Sequence, residues 1–242
     1  MPETRIQLCG PTVVRLAGKR VEEQLPGRQG RLLFGFLVHE RRPVTRAELV
    51  DLLWGGLAPD GAESALSALL SKLRRVVEVA GRRSIRLQLP DDAWVDVHAA
   101  REALHRAESA VAREEWEAAW GPARVAQHIG ERPFLPGEDA PWAEDRRRAQ
   151  GVVLVRALEL GGLASLRIGG AELATAERTA RRLVEVAPLR ESGTRLLMEL
   201  LDRMGNRADA IVVYDALRMR LWDELGVAPS PETQAAHRSL LA

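Results

Sequence analysis

Cys9 is the single cysteine in 242 residues. No internal disulfide can form, and a reducing cytosol fits. Lying in the apolar run Ile6, Leu8, Cys9, it reads as a small buried hydrophobe. No stretch reaches the ~20 apolar residues a membrane helix needs. The start, Met1-Pro2-Glu3-Thr4-Arg5, lacks the basic-then-apolar order of a signal peptide. The chain is therefore expected in the cytoplasm, with no membrane partner. Catalytic signatures are missing too: there is no Gly-x-x-x-x-Gly-Lys, Gly-x-Gly-x-x-Gly, Gly-x-Ser-x-Gly, Cys-x-x-Cys or His-Glu-x-x-His. His105 with Glu108, and His128 with Glu131, stand one helical turn apart, but would need further ligands to hold a metal and read as surface pairs. No enzyme activity, cofactor or metal is expected.

What is present suits a soluble protein with one large or two modest domains. Hydrophobic residues make up 46%, enough for a real core, and charged residues 29%. The net charge of +1 hides an asymmetry. Residues 1–90 hold 15 Lys and Arg against 9 Asp and Glu; the remainder holds 20 against 25. A basic first part on an acidic remainder suggests a polyanion-binding module joined to something else.

Along the chain the apolar period changes. Ile6, Leu8, Val14, Leu16 and Val21 alternate between turn residues, predicting a small antiparallel sheet over about 5–23. Leu32, Leu33, Phe36 and Leu37 recur at helical spacing, predicting a helix over 28–40 that Pro43 stops. Thr45 with Glu48 forms a capping box for a second helix carrying Leu49, Leu52, Leu53 and Trp54 and closed by Gly55-Gly56. A third helix is predicted over 61–80, with the stripe Leu66, Leu69/Leu70, Leu73, Val76/Val77. Ile85–Leu89 and Trp94–Val97 then read as two strands around Pro90-Asp91-Asp92. From His98 onward only helices are indicated, at 99–113, 115–129, 141–168, 171–186, 190–204, 207–225 and 231–241. Gly161-Gly162 inside 141–168 implies either a break or a close neighbour. Gly169, Ala174 and Ala180 match Gly205, Ala210 and Ala216; a period near 34 in helix pairs is the mark of tetratricopeptide-type repeats. The six tryptophans, Trp116 and Trp120 on one face among them, read as core or inter-helix packing.

The helix 61–80 has the division of labour of a DNA-reading element. Its apolar stripe faces inward, while Ser64, Ser67, Ala68, Ser71, Lys72 and Arg75 lie on the other face, with Arg74 at the flank. Small hydroxyls permit close approach, and cations neutralise phosphate or contact guanine. Arg82, Arg83 and Arg86 follow, placed for the adjacent backbone or minor groove. Between Lys72 and Arg86 the only acid is Glu78. Arg28, Arg31, Arg41, Arg42 and Arg46 are further phosphate candidates, and Thr45, at a helix start, can offer backbone N–H groups to a phosphate.

The chain resembles the actinobacterial antibiotic regulatory protein family, whose members pair an OmpR-like winged helix with a bacterial transcriptional activator domain. The resemblance runs over nearly the whole chain. It is carried by Leu8-Cys9-Gly10-Pro11 with the strands of Val13–Val21, by Pro43-Val44-Thr45-Arg46-Ala47-Glu48-Leu49-Val50-Asp51-Leu52-Leu53-Trp54, and by Ala65-Leu66 with Ser71-Lys72-Leu73-Arg74-Arg75. Trp94-Val95-Asp96-Val97, Pro141-Trp142-Ala143-Glu144-Asp145-Arg146, Pro188-Leu189-Arg190-Glu191 and Asp223–Glu232 add to it. It implies promoter binding, usually as homodimers on tandem direct repeats, and recruitment of RNA polymerase holoenzyme through its sigma and alpha subunits. It maps DNA contacts onto Ser64, Ser67, Ser71, Lys72, Arg74 and Arg75, with the wing at Arg82–Arg86. Where the family commonly carries Asn, Gln and His, this chain has Ser64, Ser67 and Leu69, and Arg83-Ser84-Ile85-Arg86-Leu87 replaces a Gly-Gly-Tyr-type wing.

The expected architecture is an α+β N-terminal winged helix-turn-helix over 1–98, followed by an all-α tetratricopeptide-like helical domain over 99–242, a right-handed array of helix pairs. The expected function is double-stranded promoter DNA binding by a transcription regulator, an activator through RNA polymerase. The rival reading is a helical-repeat protein that senses a small-molecule effector or a partner, with accessory DNA binding. In that reading Arg146–Arg148, Arg178, Arg181 and Arg182 would face an anionic ligand. Pairing with Glu144, Asp145, Glu177 and Glu185 is the simpler account of them.

Overall fold

The computed structural model describes residues 3–55 and 58–242. Gly56, expected to help close the second helix, lies outside the described residues. The chain divides into two compact units, Met1–Ala100 with Ile129–Gly151, and Arg101–His128 with Val152–Ala242. The sequence predicts a single boundary near 98–100; instead the chain leaves the first unit at Ala100 and returns to it over 129–151.

In the first unit, β1 (Arg5–Gln7), β2 (Val13–Leu16) and β3 (Lys19–Arg20) form an antiparallel meander. The helices α1 (Gly27–Glu40), α2 (Arg46–Trp54) and α3 (Ala62–Leu73) follow, with the short strand β4 (Val44–Thr45) leading into α2. The chain then turns back as a hairpin of β5 (Val79–Ala80) and β6 (Ser84–Leu87), and β4 pairs with β6 to complete a second sheet of order β4-β6-β5. Finally β7 (Trp94–Val95) joins the first sheet beside β1, parallel to it, with Trp94 opposite Arg5.

The structure departs from two expectations. The third helix ends at Leu73 rather than reaching residue 80, and the hairpin is 79–87 rather than 85–97. Val76-Val77-Glu78-Val79 is rich in β-branched residues, which suit a strand better than a helix. Burial falls on Val77 and Val79, a period of two, where a helix would bury every third or fourth residue. Arg74 holds the change of direction: its guanidinium donates to the carbonyls of Val79 (3.2 Å) and Gly81 (2.6 Å). The hairpin turn requires glycine at position 81, where φ is +87° and a Cβ would lie 1.8 Å from the Ser84 carbonyl oxygen.

The core of this unit gathers Ile6, Leu8, Phe34, Leu49, Leu66, Leu70 and Ile85 with Phe134 and Leu135 of the returning segment. Trp142 meets Phe36 and Phe134 edge-on, at ring separations of 5.1 and 5.4 Å. Polar ties complete the attachment. The Arg147 guanidinium donates to the carbonyls of Phe134, Leu135 and Glu138. The Gln150 amide donates to the carbonyls of Ile129 and Arg132 and to Cys9 Sγ. Fully buried Asp96 accepts the N–H groups of Leu8 (2.9 Å), Cys9 (2.8 Å) and Val97 (2.8 Å), fixing the end of β1 to the helix that follows β7. Burial pushes its carboxyl pKa up, and those three hydrogen bonds oppose the shift. Cys9 is buried, as expected, and burial pushes its thiol pKa far up.

The second unit has no strand among its described residues. It is built from α4 (Asp96–Ala112) and α5 (Trp116–Gly130) beyond their first-unit ends, the C-terminal part of α6 (Pro141–Ile168), α7 (Leu173–Val186), α8 (Glu191–Arg203), α9 (Arg207–Leu225) and α10 (Pro231–Leu241). Alanines let α4, α5 and α6 pack closely in layers: Ala103 with Ala126 and Ala157, Ala107 with Ala123, Ala110 with Ala119 and Ala164. Helix α6 does not break at Gly161-Gly162; a Cβ on Gly162 would stand 2.7 Å from Leu196 Cδ2, so the close neighbour is the reason.

The internal repeat is present in burial but in a different phase. Ala176, Ala180 and Leu183 of α7 are buried, as are Ala210, Tyr214 and Leu217 of α9, each 34 residues later. Ala174 and Ala216, matched at a spacing of 36, are exposed. The offset comes from an extra 3-10 turn, Gly170–Glu172, before α7. Trp222, expected in core or inter-helix packing like the other tryptophans, is instead 67% exposed on α9.

Candidate nucleic-acid interface

The candidate residues sit on α2, α3 and the β5–β6 hairpin, which the β4–β6 pairing holds together: Thr45, the residue before α2, lies opposite Ser84 of the hairpin. Helix α3 is anchored by Leu66, Leu70 and Leu73, all fully buried. The opposite side presents Ser64, Ser67, Ser71 and Lys72, with Arg75 in the turn just beyond, all exposed.

Helix α2 starts with the capping box read from the sequence. Thr45 Oγ1 accepts the Glu48 N–H, and Glu48 accepts the Thr45 N–H at 2.8 Å. That N–H is thus already engaged, and an anion at this helix start would meet the Glu48 carboxylate. Hydrogen bonds from the Thr45 backbone, then from Arg42 and the Thr45 hydroxyl, hold the Glu48 pKa down to about 2. Arg42 in turn bonds Glu48 (2.9 Å) and Glu40 (3.1 Å).

Arg46, expected as a phosphate ligand, is a clamp between α2 and α3. Its Nε donates to Glu63 Oε2 at 2.8 Å, and its Nη2 to the Glu63 carbonyl at 3.2 Å and to Ser67 Oγ at 2.7 Å. Ser67 also donates to the Glu63 carbonyl, so its hydroxyl is occupied from within. Arg74 is committed to the hairpin carbonyls. Arg28 and Arg31 both bind the buried Glu138 carboxylate, at 3.2 and 2.8 Å, and Arg41 donates to His98.

The remaining side chains, Ser64, Ser71, Lys72 and Arg75 from α3 and its end, and Arg82, Arg83 and Arg86 from the hairpin, make no hydrogen bond or ion pair among the described residues. Arg82 and Arg83 occupy the hairpin loop; Arg86, on β6, lines a cleft against α1. The arrangement therefore separates cations that hold the unit together from cations that are available. Composition could not make this separation, because the acids that engage Arg46, Arg28 and Arg31 lie 17 to 111 residues away. Glu63 and Glu138 are the residues the sequence reading missed.

The described residues contain no group of three or more His, Cys, Asp or Glu fit for a metal, and no helix long and apolar enough to cross a membrane. In the helical unit, Arg181 pairs with Glu177 and Arg182 with Glu185; in the first unit, Arg148 pairs with Asp145. These are the partners expected for arginines that face solvent.

Residues 95–241 match the family described as Bacterial transcriptional activator domain. The chain is 32% identical to the Regulatory protein AfsR of Streptomyces coelicolor, over 98% of this chain and 24% of that protein. It is 31% identical to the Transcriptional regulator RedD of the same organism, over 83% of this chain and 60% of that one. It thus spans about a quarter of the first relative's length and three fifths of the second's. Among solved structures, Mycobacterium tuberculosis EmbR, in complex with a low affinity phosphopeptide, superimposes with a TM-score of 0.86 at 24% identity, covering 99% of this chain and 65% of that one. This chain belongs to the bacterial transcriptional activator domain family, among the actinobacterial antibiotic regulatory proteins that its sequence resembles.

Proposed function

We propose that the chain is a transcription regulator that binds double-stranded promoter DNA. In this reading the first unit is a winged helix-turn-helix, with α3 in the major groove and the β5–β6 hairpin as the wing along the adjacent backbone. The observation that carries it is the face of α3. Its back is locked by Leu66, Leu70, Leu73 and the Arg46–Glu63 clamp, while Ser64, Ser71, Lys72 and Arg75 point outward without partners. A helix fixed from behind and unpaired in front is what major-groove reading needs. Arg82 and Arg83 add cations in the wing loop, at a place suited to phosphate. The regulatory names of the relatives support the same reading.

The helical unit is read as a tetratricopeptide-like array, supported by the 34-residue recurrence of buried positions between α7 and α9. From the family come the finer expectations: homodimers on direct repeats, and activation through the sigma and alpha subunits of RNA polymerase.

The test is binding of the purified chain to its own upstream promoter and to a random duplex at several salt concentrations. Tight promoter binding with a steep salt slope and a large preference over random DNA is expected. Weak and equal binding to both would end this reading.

A further inference from the structure

Behind the hairpin, where the C-terminal end of α1 meets β6, β7 and the loop joining them, lies a cleft of about 190 Å³. Its apolar lining includes Leu37 and Val95, both buried, and Leu89. Arg41 and Arg86 also line it. Arg86 makes no hydrogen bond or ion pair among the described residues, and Arg41 uses only Nε, donating to His98 Nδ1 at 2.9 Å. A guanidinium has five N–H donors, so most donors of these two arginines have no partner among the described residues. Asp91 is the one acid in the lining, against two arginines. Arg41 is also held in the left-handed backbone region, with φ at +42° and ψ at −8°, at the C-terminal cap of α1. That conformation is unfavourable for a residue with a Cβ, and glycine or asparagine is usual at such a cap. Arg41 is thereby one of the residues that line the cleft.

We propose that this cleft binds a small organic carboxylate with a compact apolar body, about the size of benzoate. A cavity of about 150 Å³ admits benzene, so the volume of this cleft is sufficient for such a ring with a carboxylate at its edge. The ring lies against Leu37, Leu89 and Val95, and the carboxylate takes the open donors of Arg41 and Arg86 in charge-assisted hydrogen bonds. The net positive charge of the lining selects an anion over its neutral isostere. This site does not rest on the DNA reading, because every part of it is present in the protein alone.

The test uses the full chain without DNA. Para-fluorobenzoate and its neutral counterpart para-fluorobenzamide are titrated by ligand-observed fluorine NMR. Saturable binding of the acid is expected, with the amide weaker by about tenfold or more. Arg41→Gln should weaken the acid by about tenfold and leave the amide unchanged. Ala93→Phe, which fills the cleft from its lining, should abolish binding of both while the thermal transition stays cooperative. Arg41→Gln changes an exposed side chain, so it remains informative should Ala93→Phe fail to fold. No saturable binding of the acid, equal binding of acid and amide, or an unchanged acid affinity in Arg41→Gln would each overturn the proposal.

Discussion

Arg46 of α2 and Glu63 of α3 are joined, Nη2 to Oε2 at 2.7 Å, and the same guanidinium reaches Ser67 Oγ at 2.7 Å. The pair is partly exposed, with side chains 25% and 62% accessible, so its direct contribution to stability is about 1 kcal/mol or less. Its contacts on both helices suit it to orienting α3 against α2.

Glu63→Gln separates the two roles open to Arg46. If the arginine works as a clamp, loosening it lowers duplex affinity, by about three- to tenfold. If it works as a phosphate ligand, removing a neighbouring negative charge raises affinity. Fluorescence anisotropy with a promoter duplex gives the sign, and a rise in affinity would return Arg46 to the phosphate-binding set.

The free cations at the end of α3 and just beyond it make a sharper prediction. Lys72→Ala with Arg75→Ala should weaken duplex binding at every salt concentration and reduce the salt slope by about two, roughly one for each phosphate no longer neutralised. Wild-type affinity in the double variant would take α3 off the DNA.

The hairpin turn depends on one residue. At Gly81 both the left-handed backbone and the Ser84 carbonyl oppose a side chain. Gly81→Ala should cost about 2 kcal/mol or more. At Gly18, where φ is +78° but nothing lies within 4 Å, the same change should cost about 1 kcal/mol. Urea titrations of the two variants compare the strain alone with strain plus collision; equal losses would mean that the turn relaxes around the new methyl group.

Asp96→Asn replaces a carboxylate that accepts three backbone N–H groups with an amide that has a single acceptor oxygen. With the site fully buried, the loss should be about 3 kcal/mol in chemical denaturation. A change below about 0.5 kcal/mol, the range of ordinary surface substitutions, would show that the junction between β1 and α4 is not held by this carboxylate.

Glu48 governs an acid-side effect. Its folded pKa, about 2, lies below its ordinary 4.5, so its contribution to stability is complete above pH 4.5 and is lost as pH falls toward 2. Glu48→Gln removes that dependence. The variant should show a flatter decline in urea midpoint across this window than the wild type, and parallel curves would assign the acid sensitivity to other carboxylates.

Local signals in the sequence transferred well to the structure. Thr45 and Glu48 gave the start of α2 because a capping box needs only residues three apart. The stripe through Leu66, Leu70 and Leu73 gave the core face of α3 for the same reason. The failures are non-local or ambiguous in period. Val76–Val79 extends a helical stripe as readily as it starts a strand, and the deciding interactions come from Gly81 and the Arg74 guanidinium. The parallel pairing of Trp94 with Arg5 joins residues almost ninety positions apart, so the nearer hairpin partner looked natural. The 34-residue burial period was hidden by a single 3-10 turn, which shifted the glycine markers by two. At the candidate interface, residue type identified cations, but the acids that engage Arg28, Arg31 and Arg46 sit on other elements.

The return of 129–151 to the first unit also has a meaning in time. A ribosome releases the chain from its N-terminus, so the first hundred residues emerge without Phe134, Leu135 or Trp142. At roughly 5 to 20 residues per second, Gly151 is added some seconds after Ala100. Until then the recess that receives Phe134 stays open, and Cys9 waits for the Gln150 amide. The first unit thus cannot finish folding when its first hundred residues have emerged, but only once residue 151 has been made. The helices begun at Asp96 and Trp116 must be made, and then set aside, before the N-terminal unit can close.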